Sequence, residues 1–234
     1  MFLKKKVIAI IPAKHYSSRL AKKNYLKLHN LSLFEIAIKS ALKSKYIDLV
    51  FISSDSKAIL KKSKDLGIYT IKRDKNLCSK NTPANKVIEH AIKYVKKIIK
   101  KKFLVIYLQP TSPFRNHKHI DEAFNKLKKN KIKSLVSVVK NLNTIYKSVK
   151  LKKQLIKPVF KENLITSNRQ NFLSTFYPNG AIYIFHSDKF LKKKAIPIKN
   201  SLAYEMPIDI SLDIDTLEDY RTAKKLCNAL LMYK

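Results

Sequence analysis

The sequence predicts an α/β protein: a three-layer αβα sandwich with a mainly parallel sheet and a small inserted arm. Short apolar, β-branched runs alternate with helix-period segments, the pattern of strand–crossover–strand units whose right-handed connections put helices on both faces of a sheet. The residues of unusual chemistry collect just after the strand-like runs, where open sheets of this class hold ligands. At 234 residues and 45% hydrophobic content, the chain has the material for one cored domain.

The first strand is read at 7–11, Val-Ile-Ala-Ile-Ile. With its basic flank it imitates a signal peptide, but the apolar run is too short and stops at Pro12. Further strands are read at 49–53, 103–108, 135–139 and 181–185. A helix at 32–44 opens on Ser32 and Glu35 in capping-box spacing, with Leu33, Ile36, Ala37 and Leu42 available to bury. A second, at 57–66, is stopped by Gly67. The third, at 83–100, is entered by Thr82 as N-cap ahead of Pro83 in the first turn. Another amphipathic stretch runs over 117–129. The closing helix is read at 216–233, with Thr216 as N-cap and Glu218 and Asp219 at the positive end of its dipole. The stretch 141–179 is Lys-rich and less regular. It is read as an inserted arm, at about 141–178, within a single domain spanning 1–234, and 150–157 within it is either an exchanged arm or a basic hairpin.

Composition narrows the function. No apolar run approaches the ~18 residues of a membrane span. Cys78 and Cys227 are too few for a disulfide framework and lack metal spacing, so a cytoplasmic protein is expected. The net charge of +34 invites nucleic acid, yet of 50 basic residues only Arg19, Arg73, Arg115, Arg169 and Arg221 are Arg. Recognition of phosphate backbones or guanines favours Arg, and the Lys residues are spread at helix-surface spacing. In such a chain the few Arg stand out. So do the acids: six of sixteen, Glu205, Asp209, Asp213, Asp215, Glu218 and Asp219, lie within fifteen positions, which suggests a divalent cation site.

Four segments carry chemistry. After the first strand, Pro12 to Asn24 holds Lys14, Arg19, Lys22 and Lys23 with Ser17 and Ser18, a composition suited to a polyphosphate or else an ordinary basic surface loop. It has no glycine, so it is neither a Walker loop nor a dinucleotide fingerprint. After the third strand, Gln109-Pro110-Thr111-Ser112-Pro113-Phe114-Arg115 is a rigid loop rich in hydrogen-bonding groups, or simply a strand-to-helix turn. Gly180, one of only two glycines, marks a tight turn or a close backbone approach. In Ser211-Leu212-Asp213-Ile214-Asp215-Thr216 an extended backbone points Asp213 and Asp215 to one face, where both can reach one Mg²⁺, whereas a strand end plus a helix cap explains Asp215 but not Asp213.

Taken in order, these segments resemble the bacterial CMP-sialic acid synthetases, the acylneuraminate cytidylyltransferases, nearly end to end. The likeness rests on Ile11-Pro12-Ala13-Lys14, Ser17-Ser18-Arg19-Leu20 and Lys23-Asn24, then Ser53-Ser54-Asp55. It continues through 108–115, Asn179-Gly180-Ala181-Ile182-Tyr183-Ile184 and 211–216. It implies a nucleotide-diphospho-sugar transferase-like fold and transfer of CMP from CTP to a nonulosonic acid with release of pyrophosphate. It further implies Mg²⁺ or Mn²⁺ as cofactor and a homodimer in which one subunit's arm helps close the other's sugar pocket. By position, Ala13, Lys14, Ser17, Arg19, Lys23, Asn24, Arg73 and Ser79 correspond to nucleotide-contacting positions, with Lys14, Arg19, Lys23 and Asp215 carrying catalysis. Gln109, Thr111, Arg169, Gln170 and Tyr183 correspond to the sugar pocket, and Asp213 and Asp215 to the metal pair.

The departures are local. Tyr16-Ser17-Ser18 stands where the family has Gly-Ser-Lys, Lys14 replaces an Arg, Ala21 a Pro, and Lys80 an acidic residue. Ser17-Ser18-Arg19-Leu20 is instead similar to the loop of Kdo cytidylyltransferases, so Arg19 supplies the missing charge. The resemblance thus implies an N-acylneuraminate cytidylyltransferase serving surface glycans. Alternatives are legionaminate, pseudaminate or Kdo as the sugar, or a basic nucleic-acid-binding protein on a degenerate fold.

Overall fold

A computed structural model describes residues 2, 4–79, 81–142 and 145–232. Lys80 and the helix end expected at Tyr233 lie outside these residues. The chain runs β1 (Val7–Pro12), β2 (Lys27–Leu28), β3 (Leu31–Ser32), α1 (Leu33–Leu42), β4 (Leu49–Ser54), α2 (Lys57–Asp65), β5 (Tyr69–Lys72) and α3 (Ala84–Ile98). It continues β6 (Leu104–Tyr107), α4 (His117–Lys128), β7 (Leu135–Lys140), β8 (Val149–Lys152), β9 (Leu155–Pro158) and α5 (Asn163–Thr166). It ends β10 (Phe176–His186), α6 (Ser187–Lys193), β11 (Leu202–Glu205) and α7 (Leu217–Met232).

Seven strands form the central sheet in the order β11-β7-β10-β6-β1-β4-β5. All neighbours pair in parallel except β10, which is antiparallel to both β6 and β7. Strand β1 shows why the sheet is covered twice. Val7, Ala9 and Ile11 join a cluster with α1, α2 and α4, while Ile8 and Ile10 join α3 and α6 on the opposite face. All five are fully buried, as a near-continuous apolar run in a parallel strand requires. The mainly parallel αβα sandwich read from the sequence is therefore the fold.

Several local expectations are corrected. Helix α3 begins at Ala84, because Pro83 keeps an extended ψ of 142° and itself occupies the N-cap position. Thr82 closes a turn instead, its N–H donating to the Ser79 carbonyl at 3.2 Å. On α1 the buried stripe is Leu33, Phe34, Ala37, Ile38 and Ala41, and Leu42 points outward at the last position. Glu35 closes the helix start as expected, accepting from the Ser32 N–H at 3.0 Å and its hydroxyl at 2.6 Å. Strand β10 starts five residues before the expected 181 and passes through Pro178 and Gly180, with its register against β7 shifting between Pro178 and Tyr183. Gly180 therefore lies inside a strand, at a bulge, rather than in a turn. Between β7 and β10 the chain leaves the sheet as the exposed β8–β9 hairpin, α5 and a 3-10 turn at Arg169–Asn171.

At the far end of β10, burial and the neighbouring Lys5, Lys189 and Lys133 push the His186 imidazole down to about 4. The ring is thus neutral in the folded protein, while in the unfolded chain it titrates near 6.5. Between those values the unfolded state binds the extra proton, so this group's contribution is full above about 6.5 and is lost as pH falls toward about 4. Thermal midpoints measured across that window should fall more steeply for the wild type than for His186→Gln. Equal slopes would remove His186 from the acid response.

Candidate active site

The carboxyl ends of β1 and β6, the loops after β1, β5 and β6, the start of α3 and the loop before α7 line one cleft of about 350 Å³. Its walls include Lys14, Arg19, Lys23 and Asn24 from the loop after β1, and Arg73 and Ser79 after β5. Gln109 and Thr111 come from the loop after β6, and Asp213 and Asp215 from the loop before α7.

The cationic loop is held from below. The Ala13 N–H donates to the Ser53 carbonyl at 2.9 Å, and the His15 N–H to Asp55 at 2.7 Å. The Asn24 side chain donates to the Lys14 carbonyl at 2.7 Å, so its buried amide fixes the loop's return. Arg73 is buried and donates to the Ser53 carbonyl at 2.9 Å, which puts a fixed guanidinium at the cleft wall. Burial, with the charges of Lys23, Arg73 and Arg19, lowers the Lys14 ammonium below its usual range. The cations crowd one another, a state that an anion relieves.

The amino- and carboxy-terminal segments meet directly. Lys23 Nζ lies 2.6 Å from Asp215 Oδ1, and Arg19 lies 2.8 Å from Asp215 Oδ2. Asp215 is presented by a capped helix start: Asp219 accepts from the Asp215 and Thr216 N–H groups at 3.0 and 2.7 Å, and Thr216 Oγ1 accepts from the Asp219 N–H at 3.2 Å. Thr216 is the expected N-cap. The Asp213 segment is tied across the cleft by the Ile214 N–H, which donates to the Thr111 carbonyl at 2.8 Å. Burial pushes the Asp213 carboxyl above its ordinary range, a hydrogen bond from Thr111 opposes this, and the Asp215 charge pushes it up again.

A buried carboxylate raised by a neighbouring carboxylate gains from a bound cation. Among the described residues no group of three or more His, Cys, Asp or Glu could hold a metal. Two carboxylates beside a phosphate-sized cationic cleft nevertheless suit Mg²⁺, which takes one or two protein carboxylates and completes its shell with water and substrate phosphates.

Some expected positions lie outside the cleft walls. Ala13 and Ser17 are buried in the loop's support. Tyr183 stands behind the wall, its ring 6.3 Å from that of Tyr107. Arg169 and Gln170 are exposed on the arm, where Arg169 borders a separate hollow of about 120 Å³. Tyr107 lines the cleft at the end of β6 but carries no signal in the sequence, because an aromatic in an apolar run reads as core. The support beneath Asp213 is likewise not legible in the sequence pattern. Asn179 accepts from Ser137 Oγ at 2.6 Å and the Ala181 N–H at 3.2 Å, and donates to Ser211 Oγ at 2.9 Å. The signal was present as an Asn in the 179–184 motif, but its partners are distant in sequence. Arg115 is fully buried and donates to the Gln109 carbonyl at 3.3 Å, bracing that loop.

Sheet order, crossovers and a cationic cleft facing two aspartates define the nucleotidyltransferase class of α/β proteins. The cytidylyltransferase family profile matches residues 8–234, and the chain belongs to that family. It is 30% identical over 229 residues to an N-acylneuraminate cytidylyltransferase of Escherichia coli O18:K1:H7, covering 94% of this chain and 52% of that protein. The chain thus spans about half of that relative. It is 28% identical to a pseudaminic acid cytidylyltransferase of Campylobacter jejuni, covering 94% of this chain and 96% of the relative. It is 30% identical to a CMP-N,N'-diacetyllegionaminic acid synthase of Legionella pneumophila, with coverages of 94% and 96%. Among solved structures, a CMP:2-keto-3-deoxy-manno-octonic acid synthetase complexed with CTP superposes with a TM-score of 0.67 at 13% identity, covering 98% of this chain and all of the other. At that identity the likeness speaks for the fold. No helix among the described residues is long and apolar enough to cross a membrane.

Proposed function

We propose that this protein transfers CMP from CTP to the anomeric hydroxyl of a nonulosonic acid, of the N-acylneuraminate type, releasing pyrophosphate. The observation that carries the reading is the meeting of Arg19 and Lys23 with Asp215, which joins a phosphate-suited loop to a carboxylate pair in one cleft. Membership of the cytidylyltransferase family supports it.

In this reading Lys14, Arg19 and Lys23 bind the triphosphate, Arg19 and Lys23 exchanging part of their contact with Asp215 for phosphate oxygens. Arg73 and Ser79 orient the nucleoside end, and Gln109 and Thr111 orient the sugar. The anomeric oxygen attacks the α-phosphorus in line and the bond to the leaving pyrophosphate breaks. Catalysis of this kind is mainly positioning and charge stabilisation. Asp213 and Asp215 would hold Mg²⁺ or Mn²⁺, which supplies charge neutralisation and acidifies the attacking hydroxyl. We assign Arg169 and Gln170 to the sugar carboxylate through a homodimer that delivers the arm to a neighbouring cleft. A guanidinium matches a planar carboxylate. We place the reaction in the cytoplasm, with CTP as donor.

The test is pyrophosphate release from CTP, with and without Mg²⁺, across N-acetylneuraminic, pseudaminic, N,N'-diacetyllegionaminic acid and Kdo. Release is expected with the nine-carbon acids, greatest for N-acetylneuraminic acid. No release with any sugar, together with strongly salt-dependent retention on DNA, would replace the enzyme with a binder.

Gly180 offers a second check. Its φ is +78°, and a Cβ there would sit 2.6 Å from Gln109 Oε1. Gly180→Ala therefore strains the backbone and turns the Gln109 amide aside. The KM for the sugar is expected to rise at least about fivefold, equivalent to about 1 kcal/mol, with the CTP KM nearly unchanged. Equal rises for both substrates would take Gln109 out of sugar binding.

A further inference from the structure

The sheet edge opposite the cleft carries a second concentration of charge, mostly positive, with Asp188 beside it paired to Lys102. There β6, β7 and β11 begin and β10 ends, with His186 in register with Leu104 and Leu202 with Leu135. Two adjoining cavities of about 350 and about 400 Å³ share Lys131 and Lys133. Lys189, Lys193 and Lys199 complete the wall of the first, and Lys5 and His186 belong to the second. Among the described residues no Asp or Glu lines either cavity.

This differs from the rest of the lysine-coated surface. Lys131, Lys133, Lys189, Lys193 and Lys199 are exposed, as lysines elsewhere on the surface are, and the difference lies in the hollow they share. These five line one concavity within the size range of small-ligand sites, where a bound anion would offset their mutual repulsion. His186 reports the resulting potential. Its Nδ1 lies 3.4 Å from Lys5 Nζ, and Lys5, Lys189 and Lys133 all act with burial to keep the ring neutral, with Asp188 opposing them. Lysine ammonium groups are compact point charges, which hold a multiply charged phosphate by charge rather than by planar fit.

We propose that this basal cavity binds a small anion carrying two or more phosphate charges, held by Lys131, Lys133, Lys189, Lys193 and Lys199. A free polyphosphate and a phospholipid headgroup present the same chemistry.

The test uses the full chain and a local readout, because the candidate active site also suits phosphates. With inorganic tripolyphosphate as probe, the His186 imidazole is titrated by NMR and assigned with His186→Gln. Its midpoint should rise saturably toward the ordinary imidazole range. Lys133→Glu/Lys189→Glu should weaken that saturation at least about tenfold, while the equal charge change Lys57→Glu/Lys61→Glu on the exposed face of α2 alters it by less than about threefold. A second arm measures cosedimentation with phosphatidylglycerol vesicles against phosphatidylcholine vesicles. Loss of vesicle binding in the first double variant alone assigns the site to headgroups, and a His186 response without vesicle binding assigns it to free phosphate. No response to either probe, or equal losses in both double variants, overturns the proposal, since binding would then be a diffuse effect of the net +34. Lys133→Gln/Lys189→Gln gives the same reading if the charge reversal prevents folding.

Discussion

Asp215→Asn is expected to lower turnover at least ~100-fold, the scale of losing a metal ligand or charge clamp. The substitution keeps shape and removes one charge from a group facing Lys23 at 2.6 Å and Arg19 at 2.8 Å. Arg19 is largely exposed, so its ion pair adds little to stability. The mostly buried Lys23 loses a charge partner but keeps the Asn oxygen as acceptor, and the thermal midpoint should fall by less than about 8 °C. The released Arg19 and Lys23 remain free to hold phosphate. CTP binding in metal-free buffer should therefore be retained or tightened even as turnover collapses. This split separates a chemical defect from misfolding. Turnover near wild type would remove Asp215 from the metal role, and weakened metal-free CTP binding would place its effect on loop structure.

Asn179→Leu is expected to be the most destabilising single change at the site. Asn179 is buried, and the substitution leaves the Ser137 hydroxyl and the Ala181 N–H without their acceptor. Each buried group left unpaired costs about 1–3 kcal/mol, so a loss of roughly 3 kcal/mol and a fall of about 6–12 °C in thermal midpoint are expected. Ser137→Ala removes the donor itself and should cost less. In a double-mutant cycle the two changes should fall well short of additivity, because they delete one interaction. Additive losses would show that Asn179 and Ser137 act separately. Because Asn179 also holds Ser211, two residues before Asp213, turnover should fall with stability.

Legibility followed burial. Strands β1, β4, β6 and β7 were readable because strands buried on both faces leave continuous apolar runs. β5 and β11 escaped because each is a four-residue edge strand with a single buried residue, Ile71 or Tyr204. The β8–β9 hairpin was legible only as one of two readings of 150–157, because nearly all its residues are exposed and Val-Lys-Leu-Lys buries no face. At the site, the clustering of cations after β1 and of aspartates before α7 was visible as composition. The Asn179 and Arg115 contacts were not, since neither residue's type reveals its partner.

Periodicity, capping and composition are properties of neighbours along the chain, so the sequence by itself determined the αβα class, the main elements and the family motifs. Tertiary structure decided the strand order, the antiparallel insertion of β10, and which charges face each other. Lys23 and Asp215 are 192 positions apart, and nothing local to either selects the other. Their meeting follows from the sheet, which sets the ends of β1 and β11 on one edge while the turns after each strand carry the polar groups that a buried strand cannot.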